Sequence, residues 1–259
     1  MKQSIFLLIA ILATAIAAFA IHYIILGSPD NFANGEVRTV PKNLLGTVYT
    51  GGWVVPVLIT LTLLDLTLVF ERMFSLKKAN GRSSITAFLK TVQSNLMNGR
   101  IDEAMKACDA QRGSAASIIR TGLERYKSVT LDKKLDAEKK MAETQRAIEE
   151  ATSLETPLLE RNLIALSTIA SIATMFGLLG TVIGMIRAFT ALARAGAPDS
   201  IQLSIGISEA LINTALGLVA AIIGIIAYNF FVTKVDNFTY MIDEASYNVV
   251  QILNTRTND

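Results

Sequence analysis

Four segments that are long and apolar enough to cross a lipid bilayer constrain the fold of this chain more than any other feature. A helix that spans the hydrocarbon core needs about 20 mostly apolar residues. Residues 4–26, 51–70, 163–186 and 207–232 meet this requirement. The mean hydropathy of +0.44 and the 18% of charged residues are unlike a soluble domain, in which charge is interleaved throughout. We therefore predict an all-α, polytopic membrane protein.

Most of the charge lies in one internal segment, residues 71–162. This segment contains 17 of the 24 Lys and Arg residues and 13 of the 22 Asp and Glu residues. The few other basic residues are Lys2, Arg38, Lys42, Arg187, Arg194, Lys234 and Arg256. Because basic loops next to membrane spans stay in the cytoplasm, we expect a cytoplasmic polar lobe and, with four spans, two cytoplasmic termini.

These arguments divide the chain into eight predicted parts. They are a transmembrane helix (1–26), an outer segment (27–50), a second transmembrane helix (51–70), the cytoplasmic helical lobe (71–162), a third transmembrane helix (163–186), an outer turn (187–206), a fourth transmembrane helix (207–232) and a cytoplasmic C-terminal helix (233–259). The first part also resembles a signal peptide, with Ala18-Phe19-Ala20 as its cleavage site. Since the apolar run of a signal peptide has only about 7–15 residues, we expect an uncleaved helix.

The composition disfavours several classes of function. A net charge of +2 gives no support to nucleic-acid binding, which needs a strong basic excess. A single cysteine, Cys108, excludes an internal disulfide, and together with the single histidine, His22, it cannot form a zinc site. The sequence contains no nucleophile–base pair or phosphate-binding loop that would indicate an enzyme. We expect no catalytic residues, no metal and no cofactor.

The polar lobe has helical periodicity. Its predicted helices are 83–98, a short helix capped by Asp102, 114–126 and 131–155. Gly99 is expected to end the first of them. Pro157 is predicted either in the first turn of the third span or at a kink just before it. The charge favours a solvated helical bundle, and the alternative is a docking surface for a cytoplasmic partner.

Glu209 is the most informative residue of the fourth apolar segment. An ionisable side chain in an apolar helix is costly and usually faces a bundle interior or a water-filled path. Together with Glu209, one helical face contains Asn213, Gly217, Ala220, Gly224 and Ala227. Small faces let helices approach closely. Because a buried carboxyl without a counter-charge binds a proton, Glu209 is predicted to be part of a proton relay.

The third apolar segment carries a matching stripe of hydroxyl groups. Its members, spaced by four, three and seven residues, are Ser167, Ser171, Thr174 and Thr181. Glycines thin the neighbouring face at positions 177, 180 and 184. The two helices are predicted to border a narrow polar path, with Thr214 beside it. The alternative is that the hydroxyls bond to their own helix backbone and that the small residues are ordinary packing.

Three further residues near the ends of the first two spans have simpler interpretations. Asp65 lies six residues before the charged lobe, and both structural pairing and membership of a proton path remain open. His22 is interpreted as an interfacial side chain rather than a ligand. Trp53 is typical of an interfacial anchor.

Two stretches in the last two spans carry a family resemblance. GLLGTVIG at 177–184 resembles the Gly-Leu-x-Gly-Thr-Val-x-Gly signature of the ExbB/TolQ/MotA proton-channel family. ISEALINTALGLVAAI at 207–222 resembles the second signature of that family, at a similar spacing. Phe70-Glu71-Arg72 is similar to the ExbB branch. The chain is identified as a member of this family, with the ExbB branch favoured.

The resemblance implies a ring-shaped homo-oligomer, a pentamer in the bacterial inner membrane, around a dimer of an ExbD-like single-span partner. The partner supplies a membrane Asp that is protonated and deprotonated as protons pass. The complex would act as a motor or stator that passes proton-motive force to a TonB-like transducer for outer-membrane transport. By motif position the pore lining would be Thr181, Glu209 and Thr214. Further candidates for the polar lining are Ser167, Ser171, Thr174, Asn213 and Asp65.

Two features depart from the usual three-span ExbB pattern. The first span is additional, and the second signature ends in Ile222-Ile223-Gly224 where the family often has Ile-Pro. A TolQ-like stator for envelope maintenance has nearly the same signatures and is the first alternative. The second alternative is a non-conducting membrane scaffold, whose helices only assemble partners.

Overall fold

A computed structural model describes residues 2–33, 35, 37, 40–131, 135–193 and 200–258. Within them the chain is almost entirely helical, as predicted. The α-helices are α1 (Lys2–Ala20), α2 (Leu44–Tyr49), α3 (Val54–Asn80), α4 (Ile85–Met97), α5 (Ile101–Gln111), α6 (Ser114–Thr130), α7 (Ala137–Glu160), α8 (Leu163–Leu192) and α9 (Ser200–Asn258). A π-helical turn, Ile21–Leu26, continues α1. Arg38 and Arg194, used in the charge argument, lie outside the described residues.

The four predicted membrane spans are confirmed as candidates by length and composition. In the part of the chain that the structure describes, four helical stretches contain windows apolar enough to cross a membrane. They are Ile5–Leu26, Val54–Met97, Ala137–Leu192 and Ser200–Arg256.

The helices extend beyond the boundaries that hydropathy predicts. The segment 187–206 was predicted as a turn, but α8 continues to Leu192 and α9 begins at Ser200, so most of it is helical. Residues 207–232 and 233–259 were predicted as separate helices, but one continuous helix, α9, runs through both as far as Asn258. A fall in hydropathy marks the edge of an apolar segment, whereas a helix continues until a breaking or capping residue ends it.

The chain divides into two compact units. The first, which we call the membrane unit, contains Met1–Phe70 and Asn162–Asn229, and the second, the polar unit, contains Glu71–Arg161 and Phe230–Asp259. The core of the polar unit is built from α4, α5, α6, α7 and the last part of α9, with Leu96, Leu123 and Leu253 almost fully buried. Ion pairs such as Arg146–Glu150 lie on its exposed surface. This matches the amphipathic bundle that the periodicity predicts.

Three local predictions in the polar unit have different outcomes. Gly99, with φ of +75°, follows the C-cap residue Asn98 of α4 and confirms the predicted end of that helix. Asp102 does not cap α5. It lies in the first turn of that helix, and the N-cap residue of the helix is Arg100. A hydrogen bond from Lys127 lowers the pKa of the Asp102 carboxyl instead. Pro157 lies in the last turn of α7, not in the first turn of the third span.

The start of α7 also differs from its prediction. The helix was expected over 131–155 and begins at Ala137. Asp136 is the N-cap residue, and its carboxylate accepts a 2.8 Å hydrogen bond from the Lys139 amide. This bond lowers the pKa of Asp136. At the other end the chain breaks at Asn162, whose φ is +62°, and α8 begins at the next residue.

Candidate functional site

Helices α8 and α9 pack at very short distance through the small faces predicted from the sequence. A Cβ atom added to Gly217 of α9 would lie 2.8 Å from the Ala173 carbonyl oxygen and 2.8 Å from the Gly177 Cα of α8. One added to Gly184 would lie 2.6 Å from the Ala210 amide nitrogen. Only hydrogen side chains fit at such distances, so the glycines allow the backbones to approach closely.

Two of the predicted pore residues meet at this packed interface. The hydroxyl oxygens of Thr181 and Thr214 are 2.6 Å apart, and both lie within reach of the Gly177 carbonyl oxygen, at 3.1 and 3.4 Å. Both side chains are half-buried. The pair therefore forms a small hydrogen-bonding cluster between α8 and α9.

Glu209 has a counter-charge that sequence analysis missed. Its side chain is 2% exposed, and both carboxylate oxygens lie 2.7 Å from Nη1 of Arg187, whose side chain is 53% exposed. The carboxyl therefore does not meet the condition, absence of a counter-charge, from which the proton relay was inferred. Arg187 directly follows the apolar run 163–186, and it was counted only as a loop charge. The available signal was that an arginine and a glutamate each lie near the same end of two adjacent apolar helices.

A glycine pair before α3 completes the surroundings of Glu209 and Asn213. Asn213 is fully buried and donates a 2.9 Å hydrogen bond from Nδ2 to the Gly51 carbonyl. Gly52 has φ of +74°, and a Cβ atom there would lie 2.9 Å from Oε1 of Glu209. The Gly51-Gly52 turn therefore accommodates both polar side chains of α9, which sequence analysis did not predict.

The other three hydroxyls of the stripe bond to the backbone of their own helix, which is the alternative stated for them above. Ser167, Ser171 and Thr174 bond to carbonyl groups three or four residues earlier in α8, at 3.0, 3.0 and 3.1 Å. Ser167 also lies 14 residues before Thr181, which is about 21 Å along a helix. The structure therefore brings Thr181, but not the other three hydroxyls, close to Thr214.

Asp65 of α3 is the second buried carboxyl of the membrane unit. It is fully buried, and neither carboxyl oxygen has a hydrogen-bond partner among the described residues. A Cβ atom on Gly224 would lie 3.0 Å from its Oδ2, so glycine at this position leaves room for the carboxyl. The structural pairing that the sequence left open is not formed among the described residues.

We expect Asp65→Leu to stabilise the isolated protein. A buried polar group that lacks its hydrogen bonds costs about 1–3 kcal/mol, and leucine has a similar branched shape. Thermal denaturation in detergent should show a higher midpoint for Asp65→Leu and no increase for Asp65→Asn, which keeps polar atoms in the same place. A lower midpoint for the leucine variant would contradict this account.

A cavity of about 690 Å³ lies beside the Arg187–Glu209 pair, within the membrane unit. His22 from the π-helical turn lines this cavity, is 4% exposed and stacks on Tyr49 with ring centres 4.6 Å apart. Trp53, predicted as an interfacial anchor, also lines the cavity and is half exposed.

Comparison with known proteins identifies the family of this chain. Residues 110–244 match the model of the MotA/TolQ/ExbB proton channel family, which is just over half of the chain. The chain belongs to this proton channel family. The matched region includes Arg187, Glu209 and the Thr181–Thr214 pair, whereas α1, the Gly51-Gly52 turn and Asp65 lie before it.

Curated relatives come from two branches of the family. The chain is similar to the Tol-Pal system protein TolQ of Pseudomonas aeruginosa, with 30% identity over 201 residues that cover 76% of this chain and 86% of the relative. It is also similar to the biopolymer transport protein ExbB of Salmonella typhimurium, with 29% identity over 189 residues that cover 66% of this chain and 75% of the relative. Near-equal identities give neither branch an advantage.

Proposed function

We propose that this chain is the ring-forming subunit of a proton-driven stator in the bacterial inner membrane. The observation that carries the proposal is the Thr181–Thr214 hydroxyl pair, 2.6 Å apart on two apolar helices of the matched region. Five copies would surround an ExbD-like partner dimer, whose membrane Asp would take up and release protons. The polar unit and both termini would be cytoplasmic, and the Arg187–Glu209 end would face the periplasm.

The residues of this chain would have two different roles in that mechanism. The Thr181 and Thr214 hydroxyls can donate to or accept from the partner carboxyl or its water. Glu209, with Arg187 as its counter-charge, would set the local field and hydration near the periplasmic end. One charge crossing 100 mV releases about 2.3 kcal/mol, so several protons suffice to drive a conformational change in a partner.

The ExbB-like role, in which the complex energises a TonB-like transducer, is the one we propose, with the TolQ-like role as the alternative. Deletion of the gene and complementation with the wild-type chain distinguish the two. Restored TonB-dependent uptake supports the ExbB-like role, whereas restored resistance to detergents supports a TolQ-like role in envelope maintenance. Copurification of a short single-span protein with a membrane Asp would identify the partner.

The same complementation assay tests the pore residues. We expect Thr181→Val combined with Thr214→Val to lower activity roughly tenfold, the effect of losing one hydrogen bond of about 1.4 kcal/mol. Thr174→Val is the matched control, because the Thr174 hydroxyl donates its hydrogen bond to the Ala170 carbonyl of its own helix. Glu209→Gln should also lower activity.

Full activity of the double threonine variant, with normal assembly, would overturn the pore role. That result would support the scaffold alternative, in which the helices only hold partners together. Full activity of both Glu209→Ala and Glu209→Gln would separately remove the role assigned to Glu209.

A further inference from the structure

We propose that the cavity beside the Arg187–Glu209 pair is the aqueous entrance for protons, and that His22 of the additional first helix takes up protons there. The inference rests on the proposed proton-channel function and assigns a role to the helix that the three-span pattern lacks. His22, Tyr49, Thr50, Arg187 and Glu209 all line this cavity of about 690 Å³.

The chain changes helix type at the point where His22 faces the cavity. Ile21–Leu26 is π-helical. This conformation is rare in proteins overall, and where it occurs it is often at a functional site. Asn31 stabilises its end, because Nδ2 donates to the carbonyl groups of Ile25 and Leu26 at 2.7 and 3.0 Å. The imidazole is held on the Tyr49 ring at 4.6 Å. His22 is therefore positioned by a defined local structure rather than lying on the lipid-facing surface.

The charges around His22 suit uptake of a proton. Among the titratable residues that line the cavity, Tyr23 lies on the same π-helical turn as His22, Tyr49 on α2, Arg187 on α8 and Glu209 on α9. The lining residues that directly precede α3 carry no charge. The guanidinium disfavours a charged imidazole and the carboxylate favours one, and their ion pair leaves little net charge. Histidine is the side chain whose ordinary charge change falls between about pH 5 and 8.

A cysteine-labelling experiment tests whether the cavity holds water. Thr50→Cys places a thiol at a cavity-lining position that is 9% exposed, and Thr14→Cys places one at an 8% exposed position of α1 that does not line the cavity. Both native hydroxyls donate to a backbone carbonyl three or four residues earlier in the chain. The native Cys108 does not interfere, because it is buried in the polar unit and burial raises its pKa to about 12.

In the assembled complex, a charged, membrane-impermeant methanethiosulfonate added from the periplasmic side should modify Thr50→Cys roughly tenfold faster than Thr14→Cys, because only a hydrated thiol forms the reactive thiolate. Mass spectrometry measures the rate of labelling. Equal labelling rates at the two positions would overturn the proposal that the cavity holds water.

The role of His22 is tested by the dependence of proton conductance on periplasmic pH. At fixed proton-motive force, conductance of the wild-type complex should rise as that pH falls through the histidine range of about 8 to 5. His22→Phe keeps an aromatic ring against Tyr49, but phenylalanine does not titrate. The rise in conductance should therefore disappear, and conductance near pH 5 should be several-fold lower than in the wild type. An unchanged pH profile in an assembled His22→Phe complex would overturn the role of His22.

The two measurements separate failure of this inference from failure of the proposed function. A wild-type complex that conducts no protons would overturn the proposed function and with it the role of His22. Labelling of Thr50→Cys does not depend on conductance and still decides whether the cavity is aqueous.

Discussion

Replacing Arg187 by glutamine is expected to destabilise the membrane unit by about 2–4 kcal/mol, because it leaves the buried Glu209 carboxylate without its counter-charge. Loss of one partner of a fully buried ion pair costs about 3–5 kcal/mol, and the half-exposed Arg187 side chain lowers that figure. The Glu209 side chain is only 2% exposed, and Gly52 lies directly beside its carboxylate. Thermal denaturation in detergent measures the loss.

A second substitution shows whether the unpaired Glu209 charge causes the loss of stability in Arg187→Gln. The variant with both Arg187→Gln and Glu209→Gln contains no buried charge at this position, so we expect it to be more stable than Arg187→Gln alone. Such non-additivity is characteristic of residues that interact directly. A double variant whose loss equals the sum of the two single losses would contradict the direct ion pair. Arg187→Lys keeps a charge and should fall between the wild type and Arg187→Gln.

Replacing Gly217 by alanine is the second change for which we expect a large effect. The added Cβ atom would meet the Ala173 carbonyl oxygen and the Gly177 Cα, each at 2.8 Å, and both belong to the backbone of α8. Since backbone atoms cannot rotate away, α8 and α9 must separate. We expect a loss of about 1–3 kcal/mol, and a failure to assemble when leucine is placed there.

Val219→Ile is the matched control for this prediction. It adds one carbon to the same helix two residues further on, at a side chain that is half exposed. The control should denature at the wild-type temperature and should elute from size exclusion as the wild type does. If Gly217→Ala were as stable as Val219→Ile, close packing of α8 against α9 would not limit stability. Separation of the helices should also break the Thr181–Thr214 hydrogen bond, so activity should fall with stability.

The features predicted correctly from the sequence depend on local chemistry. Membrane spans require runs of apolar residues, so the four candidate spans follow directly from hydropathy. The small faces of α8 and α9 follow from helical periodicity, since residues three and four apart lie on one side of a helix. The end of α4 follows from Gly99, because glycine adopts positive φ without a steric cost. The family signatures are contiguous and therefore readable from the chain itself.

The errors have a common physical cause. Glu209 was considered without a partner because its arginine lies 22 residues earlier, on another helix. Asp102 was assigned a capping role, although its hydrogen bond is to Lys127 of α6. Each of these side chains finds its partner only when distant segments pack together.

The sequence by itself determined an all-helical chain with four candidate spans, a separate charged lobe and two family signatures, because apolar length and helical period are properties of consecutive residues. The tertiary structure decided which polar groups meet. It placed the Thr181 hydroxyl against that of Thr214, and it seated Glu209 between Arg187 and Gly52. The reason is geometric, since a hydrogen bond or an ion pair requires atoms within about 3 Å, and that distance is fixed by the packing of helices far apart in the chain.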